Sequence, residues 1–299
     1  MGSESITEAL RHRLLSSPDA NCEKAVRWSG ALGAELSNFD AKDFSDSNYT
    51  LLSNYLWQYQ VLSIPRQILT SSDMVEIARK FGEVYRYPFG KPLDENPDVF
   101  AVTKEIGTKL NFGGVWHSDS PYLRIPPSMT LLYGVDIPTH GGDTLFSDMY
   151  GAYDTLSNGM KDMLAGRRVV YSAMYVHGPG TEDLKLGDVV KIRDFELAKK
   201  NNYAHPIFRK HPITGKNALY LSRPHVQNFE NMTEKESSPI FDLLYTHSID
   251  PVFTSRLAWK KNMLVIFDNR CVQHIAINDY PTERREIYRV IVHDNIPPC

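Results

Sequence analysis

The sequence predicts a mainly β fold, a sandwich or barrel of jelly-roll type with helices flanking it. Three observations lead there. Apolar segments of strand length recur between residues 130 and 292, Met263-Leu264-Val265-Ile266-Phe267 among them. Glycine and proline punctuate them, at Pro138, at Gly141-Gly142 and at Pro212-Ile213-Thr214-Gly215. Helical spacing is confined to a few stretches.

Taken in order, residues 1–25 form an N-terminal extension whose first 20 residues read as an amphipathic helix. Helices follow over 47–62 and 71–82. In the second, Met74, Ile77, Ala78 and Phe81 fall at helical spacing, with Ser71 and Ser72 as candidate caps. Strands are expected over 130–135 and 143–146, one helix over 149–164 ended near Gly166, and a strand over 167–176. Residues 178–203 are polar and irregular, as an active-site flap would be. Residues 205–223 form a hairpin around Pro212-Ile213-Thr214-Gly215. Thr233 and Glu236 form a capping box for a helix reaching about 247, and 252–293 is mostly strand. With no repeat, low-complexity tract or boundary, 1–299 is expected to be a single domain.

Composition narrows the function. Hydrophobic residues make up 42% and charged residues 23%, enough for a sizeable core. A net charge of −3, with no Lys/Arg run longer than two residues, argues against nucleic-acid binding. No apolar run approaches membrane-spanning length, and the N-terminus lacks a secretory signal pattern. Cys22, Cys271 and Cys299 are far apart and form no disulfide framework, which predicts a reducing, cytoplasmic setting. A homo-oligomer is compatible with the sequence but not specified by it.

Chemistry enters at Trp116-His117-Ser118-Asp119, which holds the one His-x-Asp of the chain. Among ten His such a match is close to chance, and a polar loop explains it equally well. On an extended segment, however, residues i and i+2 point the same way. His117 and Asp119 can then reach one metal, and a second His would complete the two-His, one-carboxylate set of non-haem iron(II) oxygenases. His274, after the apolar segment 263–267, is the candidate, against a purely structural role.

The segment from Arg284 to Val292 bears on the choice. Arg285, Ile287, Arg289 and Ile291 share one face. If the isoleucines point inward, so do the arginines, and buried guanidinium groups call for anionic partners such as a carboxylate ligand. The alternative is an edge strand with two surface arginines.

The chain resembles the taurine/2,4-dichlorophenoxyacetate dioxygenase family of iron(II)- and 2-oxoglutarate-dependent enzymes. The resemblance runs from about Gly33 to Pro297. It is carried by WHSD at 116–119, GGDTLFSDMYGAYDTLS at 141–157, HPIFRKHPITGKNALYLS at 205–222 and DNRCVQHIAINDYPTERREIYRV at 268–290. It implies a double-stranded β-helix (jelly-roll) core, with His117, Asp119 and His274 as iron ligands. It implies that Thr144 and Arg285 bind 2-oxoglutarate and that Phe267 lines the cosubstrate pocket. Arg289, Tyr122 and Tyr87 match substrate-pocket positions.

The implied reaction uses O2 to hydroxylate a small organic molecule, with release of succinate and CO2. Desaturation, ring formation or another oxidative outcome shares the same cofactor chemistry. A non-catalytic jelly-roll binding protein is the contrasting reading, disfavoured by the intact ligand set. Asp119 stands where halogenating relatives have a small residue, so halogenation is not expected. Two positions depart from the taurine enzymes, which have a His where Tyr87 stands and an Asn where Gly113 stands. Taurine is therefore not the expected substrate, although Arg289 suits an anion such as a carboxylate or sulfonate.

Overall fold

The computed structural model describes residues 25–90, 92–109, 111–177 and 195–299. The expected N-terminal helix, Cys22 and residues 178–194 of the expected flap lie outside these. The described chain is mainly β, with helices packed against its largest sheet and around its smaller ones.

That sheet runs Val26–Arg27, Ala34–Glu35, Val61–Ile64, Leu264–Asp268, Met129–Asp136, Arg285–Val292, Val84–Tyr85, and Phe100–Lys104 also pairs with Arg285–Val292. Its strands alternate between two cores, as the two-residue period of a strand requires. Leu264, Ile266, Leu62, Ile64, Val290 and Val292 pack under helices Asp46–Tyr59 and Ser71–Arg79. Val265, Phe267, Val61, Leu132 and Ile287 face the other way. There they share a core with Phe146, Leu257 and Val272 of the sheet formed by Thr254–Leu257, Thr144–Asp148 and Val272–Ala276. A third sheet joins Val226–Phe229, Arg168–Ser172 and Asn202–Pro206. The expected hairpin forms between Phe208–Lys210 and Asn217–Leu219.

Local chemistry moves several boundaries. Thr70 rather than Ser71 or Ser72 caps the second helix. Its hydroxyl accepts from the Asp73 amide and the Asp73 carboxylate accepts from the Thr70 amide, a reciprocal pair. The helix expected over 149–164 is two, Met149–Asp154 and Asn158–Leu164. The Thr155 hydroxyl donates back to the Gly151 carbonyl at 2.8 Å, and Ser157 starts the next helix by accepting from the Met160 amide. The strand expected over 167–176 stops at Ser172, and Met174–His177 is helical. Of the expected flap, 195–203 instead contains helix Phe195–Lys200 and the start of strand Asn202–Pro206.

The capping box at Thr233 and Glu236 opens helix Glu234–Ser248. Thr233→Ala should lower stability by about 1 kcal/mol, read from the urea midpoint at unchanged slope. A larger loss would mean that Thr233 has a tertiary role.

Candidate active site

Two of the expected ligands are held by each other's backbone. The His117 amide donates to the His274 carbonyl at 3.0 Å, and the His274 amide donates to the His117 carbonyl at 2.8 Å. Residues directly opposite in such a bridge present their side chains to one face, and the ring centroids are 4.2 Å apart. Asp119, two residues on, joins the same side. One ligand atom from each of His117, Asp119 and His274 lies within 4.8 Å of the others.

A closed set of hydrogen bonds orients Asp119. Its Oδ2 accepts from the Thr130 hydroxyl at 2.5 Å, Thr130 accepts from Asn269 Nδ2 at 2.9 Å, and Asn269 Oδ1 accepts from the Asp119 amide at 3.3 Å. That leaves Oδ1 to face the cationic and imidazole groups. It is 3.6 Å from His117 Nε2, 3.9 Å from His274 Nε2 and 2.7 Å from Arg289 Nη2.

Protonation follows from these partners. Burial alone would raise the Asp119 carboxyl, but the Arg289 guanidinium beside it and the Thr130 bond outweigh it and hold it well below the usual carboxylate range. Burial pushes His117 down from its ordinary value. His274 goes well below, through burial and then the neighbouring His117. Both imidazoles are therefore neutral at pH 7. His117 Nδ1 lies 2.7 Å from the Val115 carbonyl, which can only accept, so the ring proton sits there and Nε2 keeps its lone pair. A carboxylate oxygen and two imidazole nitrogens thus converge, a donor set that fits iron(II).

Two chambers meet at this cluster. The outer one is a cavity of about 250 Å³ bordered by Tyr87, Phe112, Tyr122, Tyr175, His177 and His225. A smaller inner one is bordered by Thr144, Leu132, Ile287, His274 and Arg285. His117, Asp119 and Arg289 border both.

The arginines of strand Arg285–Val292 are buried on the face that carries Ile287, which removes the surface alternative. Arg285 forms no ion pair among the described residues. Its Nε is buried without a partner, and burial pushes its pKa below the usual guanidinium value. Its Cζ lies 5.6 Å from the Trp259 ring centroid. Gly142, at φ +69°, lets the backbone pass close by, since a Cβ there would come within 3.1 Å of Arg285 Cδ. Arg289 lies 5.3 Å from the Tyr87 centroid and 5.7 Å from that of Phe112. Thr144 Oγ1 accepts from the Trp259 indole at 2.9 Å.

The remaining expected residues divide. Tyr122 and Tyr87 border the outer chamber, where the Tyr87 hydroxyl lies 3.1 Å from His177 Nε2. Phe267, expected to line the cosubstrate pocket, borders neither chamber. It lies on the same sheet face as Leu132 and Ile287, but its ring stands against that of His274, 4.7 Å between centroids, and packs in the core between the sheets. His225 also borders the outer chamber, with Nδ1 2.9 Å from Ser222 Oγ. His211 and His205 are held in buried contacts away from both chambers. The first pairs with buried Asp268 at 2.9 Å and the second with the Leu123 carbonyl at 2.8 Å.

Sequence reasoning missed Thr130, Asn269 and Trp259. Asn269 stands inside the recognised DNRCVQH block and could have been singled out. Thr130 and Trp259 carry no local signal.

Two histidines and a carboxylate on a mainly β scaffold define the class of mononuclear non-haem iron(II) oxygenases. The comparisons narrow this. Residues 24–291 match the family described as "Taurine catabolism dioxygenase TauD, TfdA family". An alkylsulfatase of Acinetobacter baylyi is 26% identical, over 88% of this chain and 83% of its own length. An α-ketoglutarate-dependent 2,4-dichlorophenoxyacetate dioxygenase of Cupriavidus pinatubonensis is 30% identical, over 79% and 85%. The crystal structure of a taurine dioxygenase from Burkholderia xenovorans superimposes with TM-score 0.73 at 27% identity, covering 91% of this chain and 90% of the other. The chain belongs to the taurine catabolism dioxygenase TauD, TfdA family. It is a 2-oxoglutarate-dependent dioxygenase that uses iron(II) and O2.

Proposed function

We propose that His117, Asp119 and His274 hold iron(II), and that Thr144 and Arg285 hold the far carboxylate of 2-oxoglutarate in the inner chamber. The outer chamber takes a small organic anion, which is hydroxylated as the cosubstrate becomes succinate and CO2. The observation that carries this reading is the division of two buried arginines on one strand. Arg285 borders only the inner chamber, whereas Arg289 also borders the outer one beside the metal-binding cluster. A buried guanidinium with a free Nε and no ion pair among the described residues suits a dianionic cosubstrate, because a carboxylate satisfies its donors two at a time.

Bound iron(II) supplies the O2 chemistry. The protein's part is placement. Thr130 and Asn269 aim Asp119, Val115 fixes the His117 tautomer, and Tyr87 and Phe112 flank Arg289. The names of the relatives include an alkylsulfatase and a phenoxyacetate dioxygenase, whose named compounds bear an anion on an apolar body. The aromatic border of the outer chamber and Arg289 support a substrate of that kind here. Tyr122 and Tyr87 would contact its body.

The same proposal takes 1–299 as one domain with a double-stranded β-helix core, supported by the two cores that the largest sheet shares with its neighbours. Free Cys271 and Cys299 support a cytoplasmic setting, and no described helix is long and apolar enough to cross a membrane.

The test is substrate-stimulated succinate formation across alkyl sulfates, sulfonates and phenoxy acids. Arg289→Ala should leave 2-oxoglutarate affinity within about twofold of wild type. It should lower coupled turnover of the best anion by roughly 30-fold or more, the cost of removing one partner of a buried charge pair. Selective loss of 2-oxoglutarate binding would reverse the two arginine roles.

A further inference from the structure

We propose that Trp259 is a positioning residue for the cosubstrate, setting the polarity of the Thr144 hydroxyl so that it donates to the far carboxylate. The inference rests on the assignment of the inner chamber to 2-oxoglutarate.

An indole N–H can only donate, so the 2.9 Å contact between Trp259 Nε1 and Thr144 Oγ1 has one polarity: the hydroxyl accepts. The staggered position that faces the indole is thereby closed to the hydroxyl hydrogen. Thr144 is 2% exposed, and its own hydrogen has no acceptor among the described residues. Arg285 Nε is likewise buried without a partner, and both side chains border the inner chamber. Two unspent donors at one small cavity call for a group that only accepts, and a carboxylate is such a group.

Trp259 reaches both donors at once. It lies two residues beyond Leu257, whose Cα pairs with that of Thr144 across the sheet. Its N–H goes to the hydroxyl, while the Arg285 guanidinium lies 5.6 Å from its ring centroid. A phenylalanine would keep a ring beside Arg285 and remove only the N–H. The two contributions can therefore be separated.

The test is calorimetric binding of 2-oxoglutarate to the Mn(II)-loaded protein, with Trp259→Phe made in wild type and in Thr144→Ala. In wild type the substitution should weaken binding roughly three- to tenfold, as expected for one hydrogen bond. In Thr144→Ala it should change binding by less than about twofold, because its route of action is gone. Equal weakening in both backgrounds overturns the proposal, and so does no weakening in wild type while Arg285→Ala still binds poorly. If Arg285→Ala also binds normally, the assignment of the inner chamber fails and the inference fails with it.

Discussion

His117→Ala and His274→Ala are each expected to abolish turnover while leaving the fold intact. Each removes one of three converging donors, and two remaining ligands hold iron(II) weakly. Affinity should fall by more than the roughly 10- to 100-fold that loss of an outer partner costs. The fold should tolerate the change because the mutual bonds of His117 and His274 are made by backbone atoms that alanine retains. His117 also loses its Nδ1 contact to Val115, a local effect at the chamber mouth. Iron content after dialysis, near-ultraviolet circular dichroism and succinate release together test this. Wild-type turnover by either variant at ordinary iron concentrations would rule out the metal assignment.

Arg285→Ala is expected to weaken 2-oxoglutarate binding by about 2–5 kcal/mol, roughly 30- to 5000-fold. Its effect on stability should be small or favourable. Arg285 has no ion pair to lose among the described residues, and burial already disfavours its charged form. Thr144→Ala should cost less, about 1.5–3 kcal/mol, because only a hydrogen bond to a charged group is lost. Arg285→Lys should recover part of the affinity but not all, since an ammonium cannot present a planar fork. Titration calorimetry of the four proteins checks the order. Equal 2-oxoglutarate affinity in Arg285→Ala and wild type would overturn the cosubstrate assignment.

Much of the site could be read from local sequence because its chemistry follows simple periods. His117 and Asp119 point one way through the two-residue period of an extended segment. The same period placed Arg285 and Arg289 with Ile287, and the structure buries all three on one face. Helix Glu234–Ser248 was legible because its capping box lies within four residues. What could not be read depends on contacts between distant positions. Trp259 acts on Thr144 across 115 residues and Thr130 on Asp119 from a neighbouring strand. His225 lies far from the ligand motifs in sequence, and only the folded chain brings it to the outer chamber. Phe267 shows the opposite failure. The family resemblance implied a pocket wall, but the ring packs against that of His274 in the core between the sheets. The division of the 149–164 helix turned on one hydroxyl, Thr155, bonding back to Gly151, a choice that helical spacing does not reveal.

The most direct test of the account is an anaerobic titration of the purified protein with iron(II) and then 2-oxoglutarate, followed by visible absorption. Chelation of the metal by the cosubstrate should give a weak charge-transfer band in wild type. The band should vanish in His274→Ala and require much more 2-oxoglutarate in Arg285→Ala. A wild-type protein that gives no band at saturating iron(II) and 2-oxoglutarate, or a His274→Ala variant that gives the full band, would contradict it.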